Sequence, residues 1–463
     1  MKKFSIADLA RIIKADPAKN DGLFDGVSID SRTIKPGDCF FAIAGDNFDG
    51  HDYLADAFAR GAACAVVKNN RSEKFNGHCL LKVHDTIKAL GRFAADYRRQ
   101  GNYKVIAITG SVGKTTTREI TRYVLGKRYQ VVASQKNFNN DVGLPLTLLT
   151  AQPQDEIIVA ELGSNYPGEI ANLTRIAGPD IALVTNVYPA HLAGFGDIET
   201  IVEEKLSISQ GLKDEGVFVI NGDIELLVNT CRSKGIKFTT FGRSNSCCFQ
   251  AKNITHNDLG SRFTLDGTLV SLPLRGTGNV ENALAAWSIC SRLGVTIDDF
   301  ADALKTLPAP PMRAELLQQG TLTILNDCYN ANPASMKNAM EILAGLSGSR
   351  KSAGKSGRSV FICGDMAELG CQTEKLHAEL GSLIAEAKVE LLITVGNYAK
   401  IAAEIAKEKA DYNLQIECFE STLSACNNLE KFIKDYDIVL VKGSRSARLE
   451  LAVEKLSELF SIK

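Results

Sequence analysis

The stretch Val105–Thr117, VIAITGSVGKTTT, decides how the chain is read. Val105 to Thr109 is a short, apolar, β-branched run of the kind that forms a buried strand. Gly110, Ser111, Val112, Gly113, Lys114, Thr115 and Thr116 follow, and Arg118-Glu119-Ile120 then reads as helix. Strand, Gly-Lys-Thr loop and helix, in that order, make a phosphate cradle, with loop N–H groups and the helix N-terminus facing the anion. In such a loop Lys114 reaches the β- and γ-phosphates, and the Thr115 hydroxyl can ligate Mg²⁺. The strict pattern asks for glycine where this chain has Ile108. A Gly-Lys-Thr tripeptide can arise in any loop; the strand before it and the helix after it favour the cradle.

At 463 residues the chain has room for roughly three domains. A formal net charge of −1 leaves no basic footprint for nucleic acid. The 12 cysteines include no Cys-x-x-Cys pair, so neither a zinc ribbon nor a thioredoxin motif is present. Free thiols in a reducing compartment are expected instead. The opening MKKFSIADLARIIKADP is basic, but its apolar residues follow helical spacing and are interrupted by Asp8, Arg11 and Lys14, unlike a signal peptide. No apolar run reaches membrane-spanning length. The expectation is a soluble cytoplasmic protein with no nucleic-acid or membrane partner, acting as a monomer.

The fold expected is α/β in three domains. Residues 1–100 read as a small α/β N-terminal domain, with helix Ile6 to Ile13 and strands Cys39 to Ile43, Ala63 to Val67 and Cys79 to Val83. Residues 101–310 read as a central P-loop-type parallel sheet with helices, its strands including Gln130 to Ala133, Ile157 to Leu162 and Ile181 to Thr185. Ser261 to Leu265 and Val270 to Leu274 suggest an antiparallel edge hairpin. The prolines of Leu307–Pro311 make a semi-rigid linker. Residues 311–463 read as a C-terminal Rossmann-like open sheet built on Leu322 to Leu325, Val360 to Cys363, Leu391 to Val395 and Ile438 to Val441. Gly345 to Arg358 reads as a flexible basic loop. Its Gly354-Lys355-Ser356 lacks the strand and helix that a cradle needs.

Ligands of open α/β sheets bind beyond the carboxyl ends of the strands. In the central unit those ends carry Glu161, Asn186, His191 and the loop Asn137-Phe138-Asn139-Asn140. Glu161 can supply the oxygen that a hard cation wants; His191 can ligate a second metal or contact a phosphate. Each can equally be a hydrogen-bonded loop residue, but both fall on the phosphate-loop edge. Asp30-Ser31-Arg32 ends a strand, where Arg32 can fork onto an anion or simply pair with Asp30 in a surface turn. Lys205, between carboxylates on a helix, reads by spacing as a surface lysine. In the third unit Asn326–Pro333, Gly364–Gly370 and Lys442–Arg445 follow three strands and open onto one sheet edge. Two such edges describe a cleft that closes over ATP.

These residues match a known family. Thr109–Thr116, TGSVGKTT, resembles the ATP loop of the Mur ligases, ATP-dependent amide-forming enzymes of peptidoglycan synthesis, whose loop also lacks the first glycine. Asp327–Pro333, DCYNANP, resembles the signature of one branch of that family. Asp30–Arg32, Gly45–His51, Asn137–Gly143, Glu161–Gly163, Thr185-Asn186, Ala190–Leu192, Gly364–Met366 and Lys442–Arg445 are similar too, so the resemblance spans essentially the whole chain.

The resemblance implies an ATP- and Mg²⁺-dependent ligase that joins an incoming D-alanyl-D-alanine to a UDP-N-acetylmuramoyl-tripeptide through an acyl phosphate. It implies a first domain that holds the UDP end, with Ser31, Arg32, Gly45 and Asp46 nearby. Asn139 and Asn140 count among the implied substrate contacts. ATP would be held by Gly110 to Thr116 with Asn282, Arg313 and Asp327. Thr115 and Glu161 would bind the ATP magnesium and His191 a second one. Lys205 would be the family's carbamylated lysine, helping to position that metal, so that Lys114, His191 and Lys205 form the implied catalytic set. Tyr329, Asn330, Asn332, Lys442 and Ser444 would lie near the dipeptide. The chain departs from the family at Ser207 (usually Glu), Asn326 (commonly Asp) and Met312 (commonly Gly). Rival readings are a sister ligase, a folylpolyglutamate synthetase, or a nucleotide-switched binding protein without ligase chemistry. Tyr329–Pro333 argues against the first two.

Overall fold

The structure is a computed structural model, and it describes residues 1–16, 22–71, 78–135, 137–257, 259–352 and 357–461. The chain is α/β, with three larger sheets in chain order. In the first, Gly26–Ser28, Asp38–Phe41, Cys64–Lys68 and Leu80–Val83 run parallel. Helix Ile6–Ile13 starts where Ser5 Oγ accepts the Asp8 N–H, and helix Thr86–Gln100 where Asp85 accepts those of Ile87 and Lys88. The second of these helices packs on Gly143–Thr150 and Glu169–Ala177 of the central unit, and Tyr97 donates its hydroxyl to the Ala151 carbonyl. Burial against both units fixes it between the first sheet and the second.

Among the described residues the central sheet has nine strands. Val105, Ile106, Ala107 and Ile108 are wholly buried, as a parallel strand covered on both faces requires. Their strand, Lys104–Thr109, lies between Ile181–Val184 and Ile157–Glu161. Thr109 is level with Val184, and Ile108 with Glu161, so three polar strand ends emerge side by side. The chain reverses strand order here, which opens a crevice. Ile108 also explains the missing glycine, since it fills the core just below the loop. The expected hairpin is the outer part of a longer antiparallel meander, Phe249–Asn257, Gly260–Leu265 and Thr268–Leu272. Sequence periodicity also missed the parallel strands Val217–Asn221 and Thr239–Gly242 that join the meander to the nucleotide-side strands.

The third sheet runs Glu315–Gln319, Leu322–Asn326, Ile438–Lys442, Ser359–Gly364, Leu391–Val395 and Gln415–Phe419, with only the first antiparallel. Asn326 is level with Val441, and Cys363 with Lys442, so the three polar segments expected at this edge are neighbours. One expectation is corrected: much of the loop expected over 345–358 is helix, Pro333–Ser352. Arg350 ties it to the sheet through the Tyr436 carbonyl and the Thr323 hydroxyl, and these bonds outweigh the small, polar composition. Gly354-Lys355-Ser356 lies outside the described residues. All twelve cysteines are free. Among the described residues no helix is long and apolar enough to cross a membrane.

Candidate active site

Gly110 has φ 146°, and a Cβ there would lie 2.0 Å from Thr185 Oγ1. Gly113 has φ 82°, and its Cβ would lie 2.1 Å from Asn282 Oδ1. Both positions therefore demand glycine on backbone conformation and on space. Asn186 Oδ1 accepts the Val112 N–H at 2.8 Å, while Asn186 Nδ2 and Thr185 Oγ1 donate to the Val112 carbonyl at 3.1 and 2.6 Å. The Ser111 hydroxyl is held by both backbone groups of Tyr188. The loop is thus shaped by its neighbours before any phosphate enters it. Lys114 opens helix Lys114–Leu125, and its ammonium donates to the Gly110 carbonyl at 2.7 Å. Burial lowers its pKa; Glu161 opposes that shift and Arg313 reinforces it.

Glu161 is buried beside the loop. Its Oε2 accepts from Thr115 Oγ1 at 2.8 Å and Arg118 Nη1 at 3.1 Å, and its Oε1 from Asn139 Nδ2 at 3.1 Å. Thr115 and Glu161 together form a hard-oxygen pair that fits Mg²⁺. Among the described residues no group of three or more His, Cys, Asp or Glu could hold a metal. A cation carried in on nucleotide phosphates, keeping several waters, suits such a sparse donor set. Asn140 Oδ1 accepts the Gly143 N–H at 2.8 Å, at the start of helix Gly143–Thr150.

His191 takes a left-handed backbone, φ 55°, and its Nδ1 pairs with Glu368 of the third domain. The His191 ring holds the Glu368 carboxyl below its usual range. The Ala193 N–H also donates to the Glu368 carbonyl, 3.1 Å, so two turns from different domains are joined. Lys205 is 2 % exposed, and its ammonium lies 2.6 Å from Ser164 Oγ and over the Phe195 ring. Burial, reinforced by Lys114, lowers its pKa to about 7. Ser207, where the family usually has Glu, bonds back to the Glu204 carbonyl.

On the facing wall, Arg313 stacks on Tyr329 at 4.1 Å. Met312 and Ala314 flank it with φ 58° and 51°. The left-handed backbone at Met312 is a physical reason for glycine being common there. Asp327 Oδ1 accepts the Ala314 N–H at 3.0 Å, and its Oδ2 pairs with Lys442 at 2.6 Å. The buried Lys442 ammonium donates also to the Asn330 carbonyl at 3.0 Å and lies 3.4 Å from that of Asp327. It braces the turn from behind. Asn332 Oδ1 accepts the Ser335 N–H, which together with Pro333 starts helix Pro333–Ser352. Asn326 Nδ2 donates to Glu315, a bond that aspartate could not make.

The two walls enclose a cavity of about 800 Å³. Ser111 to Thr116, Asn139, Asn140, Glu161, His191, Asn282, Arg313, Asp327, Tyr329, Asn330, Asn332 and Lys442 line it. Gly110 and Lys205 lie behind that lining, and Ser444 is buried, its hydroxyl on Ser446. The first-domain residues do not reach the cavity. Ser31 is buried in a turn capped by Asp30. Arg32, largely exposed, pairs with Asp30 at 2.7 Å, which depresses the Asp30 carboxyl. The Gly45 N–H closes a turn on the Phe48 carbonyl, and Asp46 is exposed. Sequence reasoning missed Arg243, which lines the cavity and pairs with Glu281 at 3.0 Å, as well as Ser164 and Lys337, and it named Arg445 at the third-domain edge without giving it a role. Ser164 follows Glu161 closely and Arg445 ends a quoted motif, so both carried a signal; Arg243 carried none.

A triphosphate loop on one sheet, faced across one cavity by a side-chain-rich edge of another, is the layout of an ATP-dependent ligase. Family models match residues 23–98 (Mur ligase family, catalytic domain), 108–290 (Mur ligase middle domain) and 312–445 (Mur ligase, glutamate ligase domain). The chain belongs to the Mur ligase family. Within it, the chain is 33% identical to the UDP-N-acetylmuramoyl-tripeptide–D-alanyl-D-alanine ligase of Bacillus subtilis (strain 168), over 99% of each. It is 34% identical to the protein of that name from Escherichia coli (strain K12), again over 99% of each. Among solved structures it is similar to MurF from Acinetobacter baumannii, with TM-score 0.87, 28% identity and 99% of both chains covered. MurF ligase from Thermotoga maritima in complex with ADP gives TM-score 0.80 and 26% identity, over 94% of this chain and 97% of that one.

Proposed function

We propose that the chain joins D-alanyl-D-alanine to UDP-N-acetylmuramoyl-tripeptide with ATP, giving UDP-N-acetylmuramoyl-pentapeptide, ADP and phosphate. The observation that carries this reading is that the phosphate loop and the Asp327–Asn332 turn line the same cavity. A carboxylate is a poor acyl donor because its leaving group would be oxide. Transfer of the γ-phosphoryl group to the tripeptide carboxylate gives an acyl phosphate and ADP. The dipeptide amine then attacks the acyl carbon, the carbon–oxygen bond to phosphate breaks, and the nitrogen gives up a proton.

Both steps gather negative charge at one point, where Lys114 and the loop N–H groups would stabilise it. Lys114 would exchange its Gly110 carbonyl for phosphate oxygens. Thr115 and Glu161 would hold one Mg²⁺ and His191 a second; magnesium, when bound, would draw charge off the transferring phosphoryl group. Arg313, Asp327 and Asn282 would hold the nucleotide. A lysine amine that loses its charge near pH 7 is nucleophilic towards CO₂, so the lowered pKa of Lys205 supports its carbamylation. Ser31, Arg32, Gly45 and Asp46 would hold the UDP end outside the cavity. Water would destroy the acyl phosphate, so the walls must close before chemistry. The reading puts the enzyme in the cytoplasm, where ATP is supplied, as a monomer.

The test is product mass spectrometry with ATP turnover measured alongside. ADP release that needs both the UDP-muramyl-tripeptide and the dipeptide, with pentapeptide formed in equal amount, is expected. Turnover indifferent to either acceptor would favour the nucleotide-switched binding protein.

A further inference from the structure

We propose that Arg445 grips the C-terminal carboxylate of the incoming dipeptide and makes the enzyme demand a free acid there. The inference rests on the reaction proposed above and adds a specificity residue to it. The dipeptide has two charged ends. Its amine must approach the acyl phosphate, beside the phosphate loop. Its carboxylate is repelled by the same phosphates and must point to a cation on the third-domain wall.

Four cations of the third domain line the cavity: Arg313, Lys337, Lys442 and Arg445. Lys442 is engaged by Asp327 and the Asn330 carbonyl, and is 1 % exposed. Arg313 is stacked on the Tyr329 ring at 4.1 Å and, in the reaction proposed above, holds the nucleotide. Lys337 offers a single mobile point charge. Arg445 offers a planar fork. Its Nη1 pairs with Glu450 Oε1 at 3.2 Å, and its guanidinium carbon lies 5.9 Å from the Tyr329 ring centre. Among the described residues no other acceptor holds it, and its side chain is 55 % exposed. Glu450 takes one N–H and Tyr329 lies beside the guanidinium, so a half-exposed fork on the cavity lining keeps N–H groups to offer, as bidentate carboxylate recognition requires. The Lys442–Arg445 segment thus divides its work: the lysine builds the wall and the arginine reads the ligand.

The experiment compares D-alanyl-D-alanine with its C-terminal amide as acceptors for the full-length wild type and for Arg445→Gln, Arg445→Lys and Lys337→Gln. Wild type should prefer the acid by at least ~10-fold in kcat/KM, the scale of a charge-assisted hydrogen bond. Arg445→Gln should raise KM for the acid by that factor and bring the acid/amide ratio near one. Arg445→Lys should fall between. Amide turnover doubles as proof that each variant is folded. An unchanged ratio in Arg445→Gln, a ratio lost in Lys337→Gln instead, or a wild type that accepts both equally would overturn the assignment. A wild type that uses neither acceptor would sink the proposed reaction itself, and this inference with it.

Discussion

On the central-domain wall of the cavity the Gly110–Thr116 loop presents mostly backbone groups, shaped in advance by Thr185, Asn186 and Tyr188. On the third-domain wall the polar groups are side chains held by one another, with Lys442 beneath them. The difference matches what each wall would bind. A triphosphate looks the same from one ligase to the next, and a rigid cradle of N–H groups serves it. An acceptor differs between ligases, and a wall of side chains can change without disturbing the sheet.

The first way to break this contrast is Lys442→Met, which leaves Asp327 without its partner. Loss of about 3 kcal/mol in denaturant unfolding is expected; a neutral result would mean that the third-domain wall does not depend on its brace. Next comes Lys114→Ala, expected to lower kcat at least ~10²-fold, about 2.7 kcal/mol, with the fold retained. Near-normal turnover would remove the cradle from the chemistry. Lys205 sharpens the comparison through pH. Its pKa, about 7 when folded against an ordinary 10.5, means that the unfolded chain binds more protons between those values. Stability should therefore rise with pH across that window, by up to ~1.4 kcal/mol per unit, and fall as pH drops through about 7. Lys205→Met, compared with wild type in CO₂-free buffer, should lack that slope. Smallest of all, Met312→Gly relieves a left-handed residue but frees the unfolded chain, so the unfolding free energy should change by less than about 1 kcal/mol. A larger loss would give the Met312 side chain a packing role that the backbone argument omits.

Val105–Thr117 was legible because its signal is local: a buried apolar strand, two glycines at positive φ, and a helix start. The strand ends Glu161, Asn326 and Lys442 were legible because parallel register puts them side by side. Lys205 was not, since helix spacing places it beside two carboxylates. Its ammonium is covered by Ser164, 41 residues away in sequence, and by Phe195 of the preceding helix. Gly345–Ser352 read as loop because its stabilising bonds reach to Tyr436 and Thr323. The largely exposed strand Phe249–Asn257 and the edge strand Gln415–Phe419 gave too little apolar contrast to register.

The joint between His191 and Glu368 ties a ring to a lobe. Any outward swing of the third lobe must pull on that imidazole or let it go. A small molecule wedged between these two turns would free the ring and unlatch the lobe in one stroke, jamming the enzyme without ever occupying the nucleotide's place.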